Sequence, residues 1–235
     1  MAVKNRLGSL ETVLTGRSAC PKCKKRLKAI DLVPVISYLT LRGCCRYCKK
    51  PIGLSYLLVE LICAALGGFV VWKFGLHFSS FSLFISLSLL VLAGFLDIES
   101  HEVDLWIFIA GVLFALLFQG MGVSSWQDMV TVLLGGTSAL IIPAAFYLLS
   151  RERWMGLGDV AFAFWIGIIA SYPASLIAIF SAFLLGGIFG IIVLVTKGKR
   201  AQRRIPFGPF LGLGGVIGLL WGQRILDLYL KLIGL

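Results

Sequence analysis

Histidine is nearly missing from this chain: His77 and His101 are the only two in 235 residues. Acidic side chains are scarce too, with 11 Asp and Glu against 22 Lys and Arg, a formal net charge of +11. So little histidine leaves Ser/His/Asp catalysis poorly supported. Neither an HExxH zinc-protease motif nor a Walker-type phosphate loop occurs. The first twenty residues contain no apolar core, so a cleavable signal peptide is not expected, and a later span must direct membrane insertion.

Apolar sequence is what the chain has in excess. Hydrophobic residues make up 59% and charged residues only 14%, with a mean hydropathy of +0.96. Soluble domains sit nearer half apolar, so the excess points to a membrane protein. The charge is unevenly placed: 12 of the 22 Lys and Arg fall within residues 1–53, with only Glu11 and Asp31 as acids. The expected organisation is a small N-terminal cytoplasmic domain, 1–53, followed by a transmembrane domain, 54–235.

A hydrocarbon core of about 30 Å needs roughly 20 apolar residues per helix. Seven candidate spans follow: 54–74, 79–97, 105–120, 128–149, 159–172, 174–196 and 206–223. The fold class is therefore all-α and polytopic. The fifth span is short, and the tail from Arg224 either extends the last helix or lies along the interface. Cytoplasmic loops carry excess Lys and Arg. Placing the basic block before residue 54 inside puts 98–104, 150–158 and 197–205 inside as well. Arg151, Arg153, Lys197, Lys199, Arg200, Arg203 and Arg204 all fall in those inner loops, and the outer loops 75–78, 121–127 and 173 have no Lys or Arg. Lys73 lies near an outer end, where it can snorkel. Arg224 and Lys231 dissent weakly. Each basic loop reads as a solvated topogenic signal rather than a nucleic-acid site, and membrane lipid is the expected partner of the spans. Gly-Gly pairs at 67–68, 135–136, 186–187 and 214–215 suit close helix packing in lipid. No internal repeat is evident.

Cys20-Pro21-Lys22-Cys23 and Cys45-Arg46-Tyr47-Cys48 form two CxxC pairs. Four such thiolates suit one tetrahedral Zn²⁺, and basic neighbours favour the thiolate form. In a cytoplasmic loop a metal is favoured over disulfides. The alternatives are free thiols or a redox pair. A four-thiolate site is closed, so the zinc would be structural, letting a loop fold without a large core. Cys44 is a spare thiol, and Cys63 reads as a small packing residue in a span.

Acids in or beside spans are functional candidates. Glu60, Asp97, Glu99, Glu102, Asp104 and Asp159 come into consideration. Asp97 ends one apolar run. Asp159 follows Gly156-Leu157-Gly158 and opens another. The topology count puts both at cytoplasmic helix ends. Two close carboxylates in a dry site cannot both ionise cheaply. The anion can then activate water against a peptide carbonyl while the neutral acid donates a proton. Gly156 and Gly158, lacking Cβ, suit close approach of substrate backbone. Asp159 reads equally well as a helix N-cap. A helix through this region would place Asp97, His101 and Asp104 on one face, with His101 either tuning a neighbour or simply hydrated. Glu99 and Glu102 are expected to face water. Glu60 either pairs with a basic group or the aspartate network, or reaches back to the interface.

Gly156-Leu157-Gly158-Asp159 is similar to the GxGD motif of intramembrane aspartyl peptidases. With the four cysteines, the segment CPKCKKRLKAIDLVPVISYLTLRGCCRYCKKPIGLSYLLVEL, the stretch Leu96-Asp97-Ile98 through Asp104, and Ile205-Pro206-Phe207-Gly208-Pro209-Phe210-Leu211, the chain resembles the bacterial prepilin peptidases of type IV pilus, type II secretion and competence systems. The match runs in order over nearly the whole chain. The resemblance implies a membrane aspartic endopeptidase of the bacterial inner membrane. It would cleave the short basic leader of prepilins or pseudopilins at the cytoplasmic face, typically after Gly. Asp97 and Asp159 would be its catalytic pair, and Cys20, Cys23, Cys45 and Cys48 would hold structural zinc. From the residues themselves, Glu60, Asp104, Gly156 and Gly158 are the candidates for supporting that site. Many members also methylate the new N-terminus, which brings S-adenosylmethionine as a second candidate cofactor. The family usually has eight spans, so the first is expected to be missing here. Ala161 replaces a common Lys and Val103 a common Pro, and neither change removes a carboxylate. The alternative is a non-catalytic transporter or pilus or secretion assembly scaffold with a zinc-binding docking loop. The sequence leaves the oligomeric state open.

Overall fold

The computed structural model describes residues 2–4, 18–20, 22–100, 102–197 and 206–234. Glu11, Pro21, His101 and most of the basic loop, 198–205, lie outside the described residues. The chain divides into two compact units, residues 5–69 and residues 70–235 together with 1–4.

The unit 5–69 is mostly turns. A 3-10 turn covers Ala29–Leu32, and a five-residue helix, α1, covers Ile36–Thr40. Helix α2, Leu54–Phe74, starts in this unit and runs past its boundary. Two anti-parallel bridges, Ala19 to Arg26 and Cys44 to Pro51, close two short hairpin-like turns.

The unit 70–235 is helical. Helices α3 (Phe78–Ser100), α4 (Leu105–Gly120), α5 (Trp126–Ser150), α6 (Leu157–Ala170), α7 (Ala174–Lys197) and α8 (Gly208–Leu232) follow in order. With α2, five are long and apolar enough to cross a membrane, and α4 and α6 are shorter apolar helices. This is the multi-pass architecture read from the apolar runs. The last helix runs to Leu232 rather than ending near 223. Polar residues break its hydropathy without breaking its helix, and Gln223 donates to Asp227 one turn on at 3.2 Å.

One expectation fails in this unit. Asp97 and Asp104 do not share a helical face, because α3 ends at Ser100 and Glu102–Asp104 forms a strand, β2. It pairs in parallel with β1, Ala2–Lys4, with Ala2 opposite Glu102 and Lys4 opposite Asp104. An extended backbone alternates its side chains across the sheet. Here that turns Val103 fully inward at 1% exposure.

Helix α6 is the core of the unit and packs against α4, α5, α7 and α8. Phe162, Trp165, Ile166, Ile168 and Ile169 on it are all buried. Phe108 of α4 meets Phe162 and Trp165 edge-on, with ring centroids 5.9 and 6.1 Å apart. The Trp165 indole N–H donates to Ser86 Oγ at 2.9 Å, and Ser86 in turn donates to the Gly111 carbonyl at 2.9 Å. This chain of bonds ties α3, α4 and α6 together while leaving no indole N–H unpaired in an apolar interior.

Lipid tails are as apolar as leucine, so helix association in a membrane relies on close packing. The glycines supply it. A Cβ on Gly167 would overlap the Gly135 carbonyl, and one on Gly135 would lie 2.5 Å from the Gly167 carbonyl, so α5 and α6 touch backbone to backbone. Between α7 and α8, Gly214, Gly218 and Gly222 face Ala182, Ala178 and Ala174 at four-residue spacing. The packing role read from the Gly-Gly pairs holds at 135–136 and 214–215.

Candidate metal centre and active site

The four CxxC cysteines converge. The sulfurs of Cys20, Cys23, Cys45 and Cys48 all lie within 4.8 Å of one another. Cys20 and Cys48 are 4.0 Å apart, sulfur to sulfur. Four sulfurs at about 2.3 Å from one tetrahedral ion would sit just under 4 Å apart, so the donor set fits such an ion.

The local backbone explains the convergence, and it repeats. In the first turn, the Cys20 N–H donates to the Lys25 carbonyl at 3.0 Å and the Lys24 N–H to the Cys20 carbonyl at 2.8 Å. In the second, the Cys45 N–H donates to Lys50 at 2.9 Å and the Lys49 N–H to Cys45 at 3.0 Å. Lys24 and Lys49 both take a left-handed backbone, φ +57° and +53°. The first turn wraps its cysteines so that backbone N–H groups face sulfur. Those of Cys23 and Lys22 point at Cys20 and hold its thiol down at about 6. Cys23 receives the Lys25 N–H, but burial and hydrogen bonds shared with Cys20, Cys48 and Cys45 outweigh it and push that thiol up to about 11. A bound cation would displace the protons these thiols still hold. The repeated Cys-x-x-Cys-Lys-Lys spelling was the available signal for this duplication.

The two turns are braced by the loop between them. Arg46 binds Asp31 through both Nε and Nη2 at 2.7 Å, and Asp31 also accepts the Lys28 N–H at 3.1 Å. The guanidinium holds the Asp31 carboxyl below the ordinary carboxylate range. Glu60 on α2 accepts the Val35 N–H at 2.7 Å. Val35 precedes α1 with φ +61°, an unusual conformation for a β-branched residue. Glu60 therefore ties down a strained turn of its own unit. Among the described residues, its carboxylate is bonded to this backbone N–H.

In the other unit, Asp97 and Asp159 are both buried, at 1% and 3% exposure. Asp97 lies in the last turn of α3 and Asp159 in the first turn of α6. They are within electrostatic reach of one another. Each carboxylate takes a backbone N–H from a glycine at a helix start. The Gly156 N–H donates to Asp159 Oδ2 at 3.0 Å. The Gly208 N–H, at the first residue of α8, donates to Asp97 Oδ2 at 3.2 Å. Asp97 Oδ1 is buried with no hydrogen-bond partner among the described residues. Unfilled N–H groups and aligned peptide dipoles at helix starts favour a carboxylate.

The capping reading of Asp159 is thus partly realised. Gly156 is the N-cap and Asp159 stands three residues on, bonding back to it. Gly158 is buried beside it. Asp104 sits at the start of α4 with an extended backbone and makes no capping bond with its side chain. Among the described residues, the structure brings Asp97 together with Asp159, Gly156 and Gly208. Gly208 went unassigned from sequence, although it lies in a stretch singled out for its resemblance.

Known proteins share this chain's sequence over most of its length. Residues 1–74 match the bacterial peptidase A24 N-terminal domain, and residues 83–191 match the type IV leader peptidase family. A prepilin leader peptidase/N-methyltransferase of Stutzerimonas stutzeri is 30% identical over 95% of this chain and 78% of its own length. One from Pseudomonas aeruginosa is 31% identical over 92% of this chain and 76% of its own. One from Bacillus subtilis is 27% identical over 94% and 88%. No solved structure matches the chain. Family profile, relatives and helical architecture agree that the chain belongs to the type IV leader peptidase family.

Proposed function

We propose that this multi-pass membrane protein is a prepilin leader peptidase, with Asp97 and Asp159 as its catalytic carboxylates. The observation that carries the reading is the pair itself. Two buried aspartates from different helices lie within electrostatic reach, each held by a glycine N–H. One carboxyl stays protonated while the other is anionic. The anion takes a proton from water as its oxygen attacks the scissile carbonyl. The neutral acid donates its proton to the developing oxyanion; as the C–N bond breaks, the proton taken from water passes from the first carboxyl to the departing amine, and the second carboxylate takes a hydroxyl proton back from the intermediate. Gly156 and Gly158 leave room for substrate backbone, and Asp104 ends the short strand that follows α3.

The substrate class follows from the names of the relatives, which act on prepilin leaders. Prepilins and pseudopilins are the partners this reading calls for. The Lys and Arg distribution supports an inner-membrane orientation with the aspartates at the cytoplasmic face. The domain boundary near residue 53 is retained as the end of a zinc-binding cytoplasmic domain. The four-sulfur geometry supports structural Zn²⁺ held by Cys20, Cys23, Cys45 and Cys48. The N-methyltransferase in the relatives' names supports a second step on the new N-terminus, with S-adenosylmethionine as methyl donor.

The test is cleavage of a prepilin from the same genome by the membrane-inserted chain. Asp97→Asn and Asp159→Asn are expected to insert normally and leave the precursor uncut. Full processing by either variant refutes the dyad. Transfer of labelled methyl from S-adenosylmethionine to the cut product tests the second step.

A further inference from the structure

Resting on that dyad, we infer that Gly208 is a positioning residue for the reaction, fixing one oxygen of Asp97 with its backbone N–H and leaving the carboxylate its space by having no side chain. Gly208 opens α8, and the first N–H groups of a helix have no acceptor within it. Asp97 Oδ2 supplies the acceptor at 3.2 Å. A Cβ at Gly208 would lie 3.0 Å from that same oxygen and 3.5 Å from the Asp97 Cβ. Asp97 is too deeply buried to swing aside. Alanine at 208 would force the carboxylate to give by a few tenths of an ångström against its donor.

The donor's own position is set by packing. Phe207, the residue before it, meets Phe183 of α7 with ring centroids 5.0 Å apart. That ring lies over Gly186, where a Cβ would come within 2.7 Å of it. Pro209, the next residue, has a backbone angle pre-set for a helix start. Phe207 thus seats the start of α8 on α7, and Gly208 delivers the consequence to Asp97. With Oδ2 fixed, Oδ1 is the oxygen left without a hydrogen-bond partner among the described residues, and so the one free to exchange a proton. Gly156 stands to Asp159 as Gly208 stands to Asp97, each bonding one oxygen of its aspartate.

The test uses the purified full chain and a prepilin substrate, with Gly208→Ala compared against Gly212→Ala. Gly212 is on the same helix, and a Cβ there meets only Leu90 at an ordinary 3.8 Å. Gly208→Ala is expected to lower kcat by ~10- to 100-fold with KM little changed, the signature of a displaced reacting group. Gly212→Ala should match the parent. Should Gly208→Ala fail to fold, hydrogen exchange at the Gly208 amide decides instead. It should run at least ~10-fold faster in Asp97→Ala than in the parent, since that N–H loses its acceptor. Equal kcat in the two glycine variants, or equal exchange in parent and Asp97→Ala, overturns the positioning role. Retained cleavage by Asp97→Asn overturns the dyad itself, so the two failures are distinguishable.

Discussion

The two units of this chain solve the same problem with opposite materials. The unit 5–69 has few buried apolar side chains among its described residues, Cys20 and Cys45 being the buried ones. Four sulfurs, two repeated turns, one Asp–Arg pair and one Glu-to-backbone bond hold it. The unit 70–235 has a dense apolar core around α6 and uses glycine and alanine to bring helices together. A small loop beside a membrane cannot gather enough apolar surface to offset chain entropy, so it is stapled. A bundle in lipid gains little from apolar burial as such, so it depends on fit. The first unit should therefore be sensitive to loss of one ion, and the second to gain of one methyl group.

Metal removal gives the largest expected effect. Chelation, or Cys23→Ser together with Cys48→Ser, should leave less than one zinc per chain by elemental analysis and open residues 18–53 to protease. Circular dichroism should keep most of its helical signal, because the seven apolar helices do not use those thiols. Loss of helix in parallel with metal would erase the contrast between the units. Next comes Gly167→Leu, which drives a side chain into the Gly135 backbone. Overpacking of this kind costs about 1–3 kcal/mol or more, read as a lower thermal midpoint in detergent with zinc content unchanged. Ser86→Ala follows, leaving the buried Trp165 N–H without its acceptor at a cost of about 1–3 kcal/mol. Trp165→Phe in the same background should recover part of that loss. The smallest effect belongs to Lys24→Gly and Lys49→Gly. Both positions are left-handed, where glycine is unstrained, so each should raise modestly the temperature at which the cluster releases its metal.

Most of the architecture was legible because lipid imposes a blunt rule. Runs such as 105–120 and 174–196 had to be helices, and they are. The cysteine cluster was legible because ligand spacing is a local constraint. Three features were not. The strand at 102–104 is set by pairing with residues 2–4, far away in sequence, and helical periodicity read across it gave the wrong face. Glu60 found a backbone N–H exposed by the Val35 turn, a partner that no side-chain pattern encodes. Gly208 touches Asp97 across 111 residues. What distinguishes it is the absence of a side chain at one helix start, and a sequence with 27 glycines gives no way to pick that one out.

Helix α6 is only 14 residues long. At 1.5 Å per residue it rises about 21 Å, well short of a hydrocarbon core of about 30 Å. Its two ends cannot both reach the headgroups unless the bilayer thins or water enters from one side. Asp159 rides on one of those ends. On the proposed dyad, acyl-chain length is then expected to matter to the chemistry: short-chain lipids should bring headgroups and water closer to the carboxylates, and long-chain lipids should withdraw them. The enzyme's turnover should follow the thickness of the membrane that holds it.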